Sequence, residues 1–77
     1  MTTQLIITIY AIQKMLNELN EIVNPTLRER MDKSIVEKLN NAKVNFGLVL
    51  LLKPNKIQKF SDELAEELYE PVTRKFQ

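Results

Sequence analysis

Apolar residues at Leu5, Ile9, Ile12, Leu16, Leu19 and Val23 step along the chain by four and three in alternation. That is the heptad spacing of one helix face. Met15 and Ile22 widen the stripe on one side, while Gln13, Lys14, Asn17, Glu18 and Asn20 fall elsewhere. The spacing predicts an amphipathic helix over residues 3–23. The β-branched run Ile6-Ile7-Thr8-Ile9 carries a competing strand signal. Unbroken heptad spacing outweighs it.

Asn24-Pro25-Thr26 reads as a stop followed by a start. Asn tolerates the left-handed position after a helix, and proline does not continue one. Thr26 with Glu29 three residues on forms a capping box for a second helix over 27–52. So short a connection favours antiparallel neighbours, hence a helical hairpin. The face Leu27, Met31, Ile35, Leu39, Ala42, Phe46 and Val49 is apolar, and Arg28, Arg30, Lys33, Glu37, Lys38 and Lys43 lie opposite. From Val44 the chain becomes apolar on all sides. A strand opened by Gly47 is the rival reading, but leucine favours helix and no second strand exists to pair with. Gly47 costs about 1 kcal/mol relative to Ala there, unless it lets two backbones approach closely.

Lys53-Pro54-Asn55 is the second break. Asn55 or Ser61 is a candidate cap for a third helix over 56–70, in which Ile57, Phe60, Leu64 and Leu68 share a face. Pro71 is expected to end it, leaving 71–77 as an extended basic tail. The fold class is therefore all-α: one domain over 1–70, an antiparallel helical hairpin plus a shorter third helix. Size adds a constraint. A chain of 77 residues buries only about 60% of its unfolded surface. With no Cys and no His, disulfides and ordinary zinc sites are unavailable, and oligomerisation is the expected staple.

The same composition removes the commonest general base and the thiol nucleophile. Ser34 and Ser61 have no His to activate them, and a single Gly rules out a phosphate-cradling loop. No catalysis and no cofactor is expected. Asp62, Glu66 and Glu70 fall on one helical row, but hard cations need oxygens converging from more than one element. No basic residue precedes the apolar stretch 5–12, so it does not read as a signal peptide. The run 44–52 is far short of the ~20 residues a membrane span requires. An intracellular location is expected, cytoplasmic or, for a viral chain, virion-associated.

The formal charge of +1 hides a layout. Residues 26–60 carry eight basic side chains against Glu29, Asp32 and Glu37, a balance of +5. Residues 61–70 carry Asp62, Glu63, Glu66, Glu67 and Glu70 with no base, a balance of −5. Opposed blocks invite neutralisation within a chain or between subunits, though solvated helix faces explain them equally.

The stretch Glu63-Leu64-Ala65-Glu66-Glu67-Leu68-Tyr69-Glu70-Pro71-Val72-Thr73-Arg74-Lys75-Phe76-Gln77 resembles the segment just before the catalytic core in integrases of Maverick or Polinton-type transposons. In that family a Leu-His-Lys-Pro-Val-Arg-Lys-Lys-Phe-like string follows a short helix. Tyr69 and Glu70 stand where the family tends to have His and Lys. The likeness covers about a fifth of the chain, stops where a ribonuclease-H-like core would begin, and implies a viral or mobile-element origin without integrase activity.

Three functional readings follow. The first is a non-enzymatic assembly module that self-associates, or docks onto a larger protein, through Leu5, Ile9, Ile12, Leu16 and Leu19 with Phe46, Val49 and Leu51. The alternative is a nucleic-acid-binding or regulatory protein using Arg28, Arg30, Lys33, Lys38, Arg74 and Lys75. A third is an inhibitor that fills a basic groove with Glu63, Glu66 and Glu67.

Overall fold

The computed structural model describes residues 3–26 and 33–76, with the side chains at 24–26 and 76 left aside. The described residues form three helices and no strand. Helix α1 spans Thr3–Thr26 and α2 spans Lys33–Leu52. A short 3₁₀ turn, Pro54–Lys56, leads into the third helix. That helix is built from α3 (Ile57–Leu64), a wide π turn (Ala65–Tyr69) and α4 (Glu70–Phe76). The all-α hairpin with a shorter third helix expected from the sequence is the observed architecture.

The expected seam of α1 is its buried face. Ile12, Leu16, Leu19 and Val23 are buried, and Leu5 and Ile9 are packed against them half-buried. From α2 come Leu39 and Phe46, with Ile35, Ala42 and Val49 alongside. The third helix contributes Ile57, Leu64, Leu68 and Val72. Phe46 and Phe60 stack across the α2/α3 contact, ring centroids 6.0 Å apart at an interplanar angle of 15°. Residues 44–52 are helical through Gly47, as leucine's preference predicts.

Side-chain pairs give the helix directions. Lys43 Nζ donates to Asn20 Oδ1 at 2.8 Å, tying the later half of α1 to the middle of α2. Thr8 meets Gln58 and Glu18 meets Tyr69, so the third helix runs parallel to α1. Only the short turn at residues 53–56 joins α2 to the third helix, and Phe46 stacks on Phe60 just beyond it, so the third helix runs antiparallel to α2. The bundle is up-down-up. Its three helices pack pairwise around one core.

Several boundaries differ from the sequence expectation. Helix α1 continues to Thr26, past the Asn24-Pro25 stop. Proline's fixed φ is itself helical, and in a final turn it forfeits little beyond one hydrogen bond. The start of the second helix at 27 and the capping partner Glu29 lie outside the described residues, as do Leu27 and Met31. Neither Asn55 nor Ser61 caps the third helix. Lys56 precedes it with no side-chain cap, and Ser61 is buried mid-helix. The junction is instead closed by backbone bonds, Lys53 N–H to Val49 O and Lys56 N–H to Lys53 O, each 2.9 Å.

The largest departure is at Pro71. No extended tail begins there, because residues 70–76 are helical. The turn before the proline is widened, with the Glu70 N–H donating to Ala65 O five residues back. A proline ring in a regular α-turn presses on the carbonyl four residues earlier. One residue of extra width at that turn relieves the contact, the usual role of a π-bulge. Thr73 adds a tie across the site, its hydroxyl 2.8 Å from Tyr69 O. Val72, 2% exposed, provides the apolar burial that carries the helix onward.

Candidate interaction surface

The up-down-up arrangement gathers three segments at one end of the bundle: the start of α1, the end of α2, and the turn into α3. Gln4, Leu5 and Thr8 share a cleft there with Pro54, Asn55, Ile57 and Gln58. The buried Thr8 hydroxyl lies 2.9 Å from both Gln4 O and Gln58 Oε1, and its single proton serves the two acceptors. Gln58 Nε2 donates onward to Asp62 Oδ1 at 3.1 Å. This polar thread joins α1 to α3 at the end of the bundle.

Seven large apolar side chains remain exposed on α1 and α2, six of them toward this end and Val44 at the middle of α2. They are Ile6, Ile7 and Tyr10 on α1 and Val44, Leu48, Leu51 and Leu52 on α2. On α2 the four are spaced i, i+4, i+7 and i+8, which sets them on the outer face, opposite Leu39, Ala42 and Phe46. Leu51 and Leu52 stand out most, 82% and 72% exposed. On α1, Ile6 and Tyr10 lie seven residues before Gln13 and Asn17, which line a groove with Lys43 and Phe46. By that spacing they continue the α1 side of the same groove toward the apolar end. Gly47 is exposed on the α2 side, and a Cβ built there meets nothing within 4 Å. Among the described residues, none makes the close backbone approach considered for Gly47.

The eight expected interface residues are distributed unevenly. Ile12, Leu16, Leu19 and Phe46 are buried in the chain's own core, and Leu5, Ile9 and Val49 are half-buried against it. Leu51 alone is well exposed. Ile6, Ile7, Tyr10, Val44, Leu48 and Leu52 were not among the candidates. Their signal was in the sequence: they are apolar residues that fall off the buried seams of their own helices.

Of the basic candidates, Lys33, Lys38, Arg74 and Lys75 are exposed, and Arg28 and Arg30 lie outside the described residues. Because the third helix runs antiparallel to α2, Arg74 and Lys75 come to the end of the bundle that holds Lys33. The acidic side chains Glu63 and Glu67 line the groove that contains Lys38. Among the described residues, no group of three carboxylates converges to hold a metal ion. No described helix is long and apolar enough to cross a membrane.

One ionisable group is clearly displaced. Tyr69 donates its phenolic proton to Glu18, and its pKa is raised above the ordinary 10.0. The hydrogen bond to Glu18 is the main cause, followed by burial and by repulsion from the same carboxylate. The pair joins α1 to the π turn.

No protein-family model, curated protein or solved structure matches the chain.

Proposed function

We propose that this chain is a non-enzymatic helical interaction module that docks onto a partner through the apolar end of its bundle. The observation that carries this reading is the cluster of seven exposed large apolar side chains on α1 and α2. Scattered surface leucines need no explanation, but four large apolar side chains in one row on the outer face of α2, with Ile6 and Tyr10 exposed on α1, mark a docking surface. The core already closes without these residues. Their exposure therefore adds nothing to the fold, and a surface that costs solubility without stabilising the chain calls for a partner.

Self-association is the form of docking toward which the sequence points, and the likeness of residues 63–77 to a transposon-integrase segment fits a viral or mobile-element setting. Light scattering after gel filtration tests it. An oligomer that persists in high salt and dissolves in Leu51→Glu supports apolar assembly. A docking surface of any kind also requires that Leu51→Glu leave the helical content of the chain unchanged while abolishing binding; where the parent self-associates, the melting temperature falls only by what association contributed. A variant that binds every partner of the parent chain equally well overturns the reading.

The second reading, nucleic-acid contact, draws on the end of the bundle shared by Lys33, Arg74 and Lys75, with Arg28 and Arg30 close in sequence. It predicts binding that falls steeply with salt and is indifferent to Leu51→Glu. No shift of duplex or single-stranded DNA at low salt removes it.

A further inference from the structure

The ten carboxylates of the chain all lie within 18–43 and 62–70. Residues 1–17 and 44–61 carry Lys14, Lys53, Lys56 and Lys59 and no acid at all. Folding brings these two stretches together, since the start of α1 packs against residues 54–58. This end of the bundle thus gathers four lysines and the exposed leucines, with Asp62 and Glu63 on the third helix the nearest carboxylates. Lys53, Lys56 and Lys59 line a single groove with Val49, Phe60 and one carboxylate, Glu63. The apolar ridge of α2 has this lysine groove on its α3 flank and Tyr10 on its α1 flank.

We infer that this half of the molecule lies on an anionic lipid surface, with Leu48, Leu51 and Leu52 entering the headgroup–acyl boundary and the lysines meeting the headgroups. The inference rests on the docking reading above and names what the surface meets. A second copy fits poorly. Antiparallel pairing about Leu48 covers leucine with leucine, yet it sets two copies of residues 44–53, with no acid between them and Lys53 at each end, against each other. Sliding the pair until lysines face carboxylates lays the leucines on Ser34, Glu37, Lys38 and Asn41. Nucleic acid offers the negative charge but nothing for the leucines. A partner helix docking here would need a groove, and Leu51 and Leu52 at 82% and 72% exposure form a ridge; a protein occupant would have to bring an apolar groove rimmed with carboxylates for the lysines. A bilayer surface yields around a ridge and supplies both hydrocarbon and negative charge. Tyr10, 65% exposed on the same half, has the apolar ring and polar tip that suit the interface. No described helix spans a bilayer, so the contact is peripheral.

Sedimentation with sucrose-loaded vesicles tests this on the full chain. Vesicles of phosphatidylcholine with about 30 mol% phosphatidylserine should bind at least about tenfold more protein than phosphatidylcholine alone. About 0.5 M salt should remove most of that difference by screening the lysines. Leu51→Glu and Lys53→Glu/Lys56→Glu should each abolish binding, with helical circular dichroism and melting temperature unchanged because all three positions are exposed. Equal sedimentation with and without phosphatidylserine overturns the inference, as does binding that survives Leu51→Glu. If no vesicle binds but light scattering gives an oligomer that Leu51→Glu dissolves, the lipid inference falls and the docking reading stands with a second copy as occupant. A monomer that binds no vesicle overturns the lipid inference and withdraws the main support for docking as well.

Discussion

The phenol of Tyr69 donates a hydrogen bond to the carboxylate of Glu18 across 51 positions of sequence, joining the π turn of the third helix to the middle of α1. The bond has a consequence in pH. A proton held on Tyr69 above its ordinary 10.0 contributes stability that is complete below that value and lost as pH rises through the raised one. Tyr69→Phe should cost about 1 kcal/mol at neutral pH. It should also flatten the part of the alkaline stability loss that belongs to this group. Urea unfolding at pH 7 and above pH 10 reads both effects. A parent and a variant that lose stability equally above pH 10 would show that the phenol contributes nothing.

Core and ridge leucines should behave oppositely. Leu19 is fully buried, 0% exposed, while Leu51 is 82% exposed on the same type of helix. Leu19→Ala leaves a cavity and should cost about 2–5 kcal/mol. Leu51→Ala should change stability by no more than about 0.5 kcal/mol. Similar urea midpoints for the two variants would mean that the ridge is packed rather than exposed.

Gly47 sits inside α2 with open space where a side chain would go. Gly47→Ala should therefore stabilise the chain by about 0.5–1 kcal/mol, through the entropy of the unfolded backbone and a better helix former. The thermal midpoint should rise. A fall would reveal a close contact at that face, such as one supplied by an assembled partner.

Thr8 is a polar residue, 5% exposed, at the apolar end of the core. Thr8→Val keeps the shape and removes the proton shared with Gln58 Oε1. The expected loss is about 1 kcal/mol, smaller if water reaches the orphaned acceptor. Pairing Thr8→Val with Gln58→Ala in a double-mutant cycle isolates the coupling. A coupling energy of zero would assign the register between α1 and α3 to packing alone.

Much of this architecture is local and so legible in the chain. The alternate spacing from Leu5 to Val23 and the row Ile35, Leu39, Ala42, Phe46 each mark one face of a helix, because a period near 3.6 residues returns side chains to one side. Leucine's preference likewise keeps residues 44–52 helical. Composition alone leaves no His or Cys for chemistry. The tertiary structure decided what local pattern leaves open. Pro71 reads as a stop, yet burial of Leu68 and Val72 against the other helices holds the third helix together through a widened turn. The direction of that helix brings Tyr69 to Glu18, and Thr8 to Gln58, from far apart in sequence. Direction also separates seam from surface. Ile12 and Leu16 are consumed by the chain's own core, while Ile6, Tyr10, Leu48 and Leu51 are left outside. A face's apolar character is fixed by spacing along one helix; whether that face is already covered depends on where the other two helices pack.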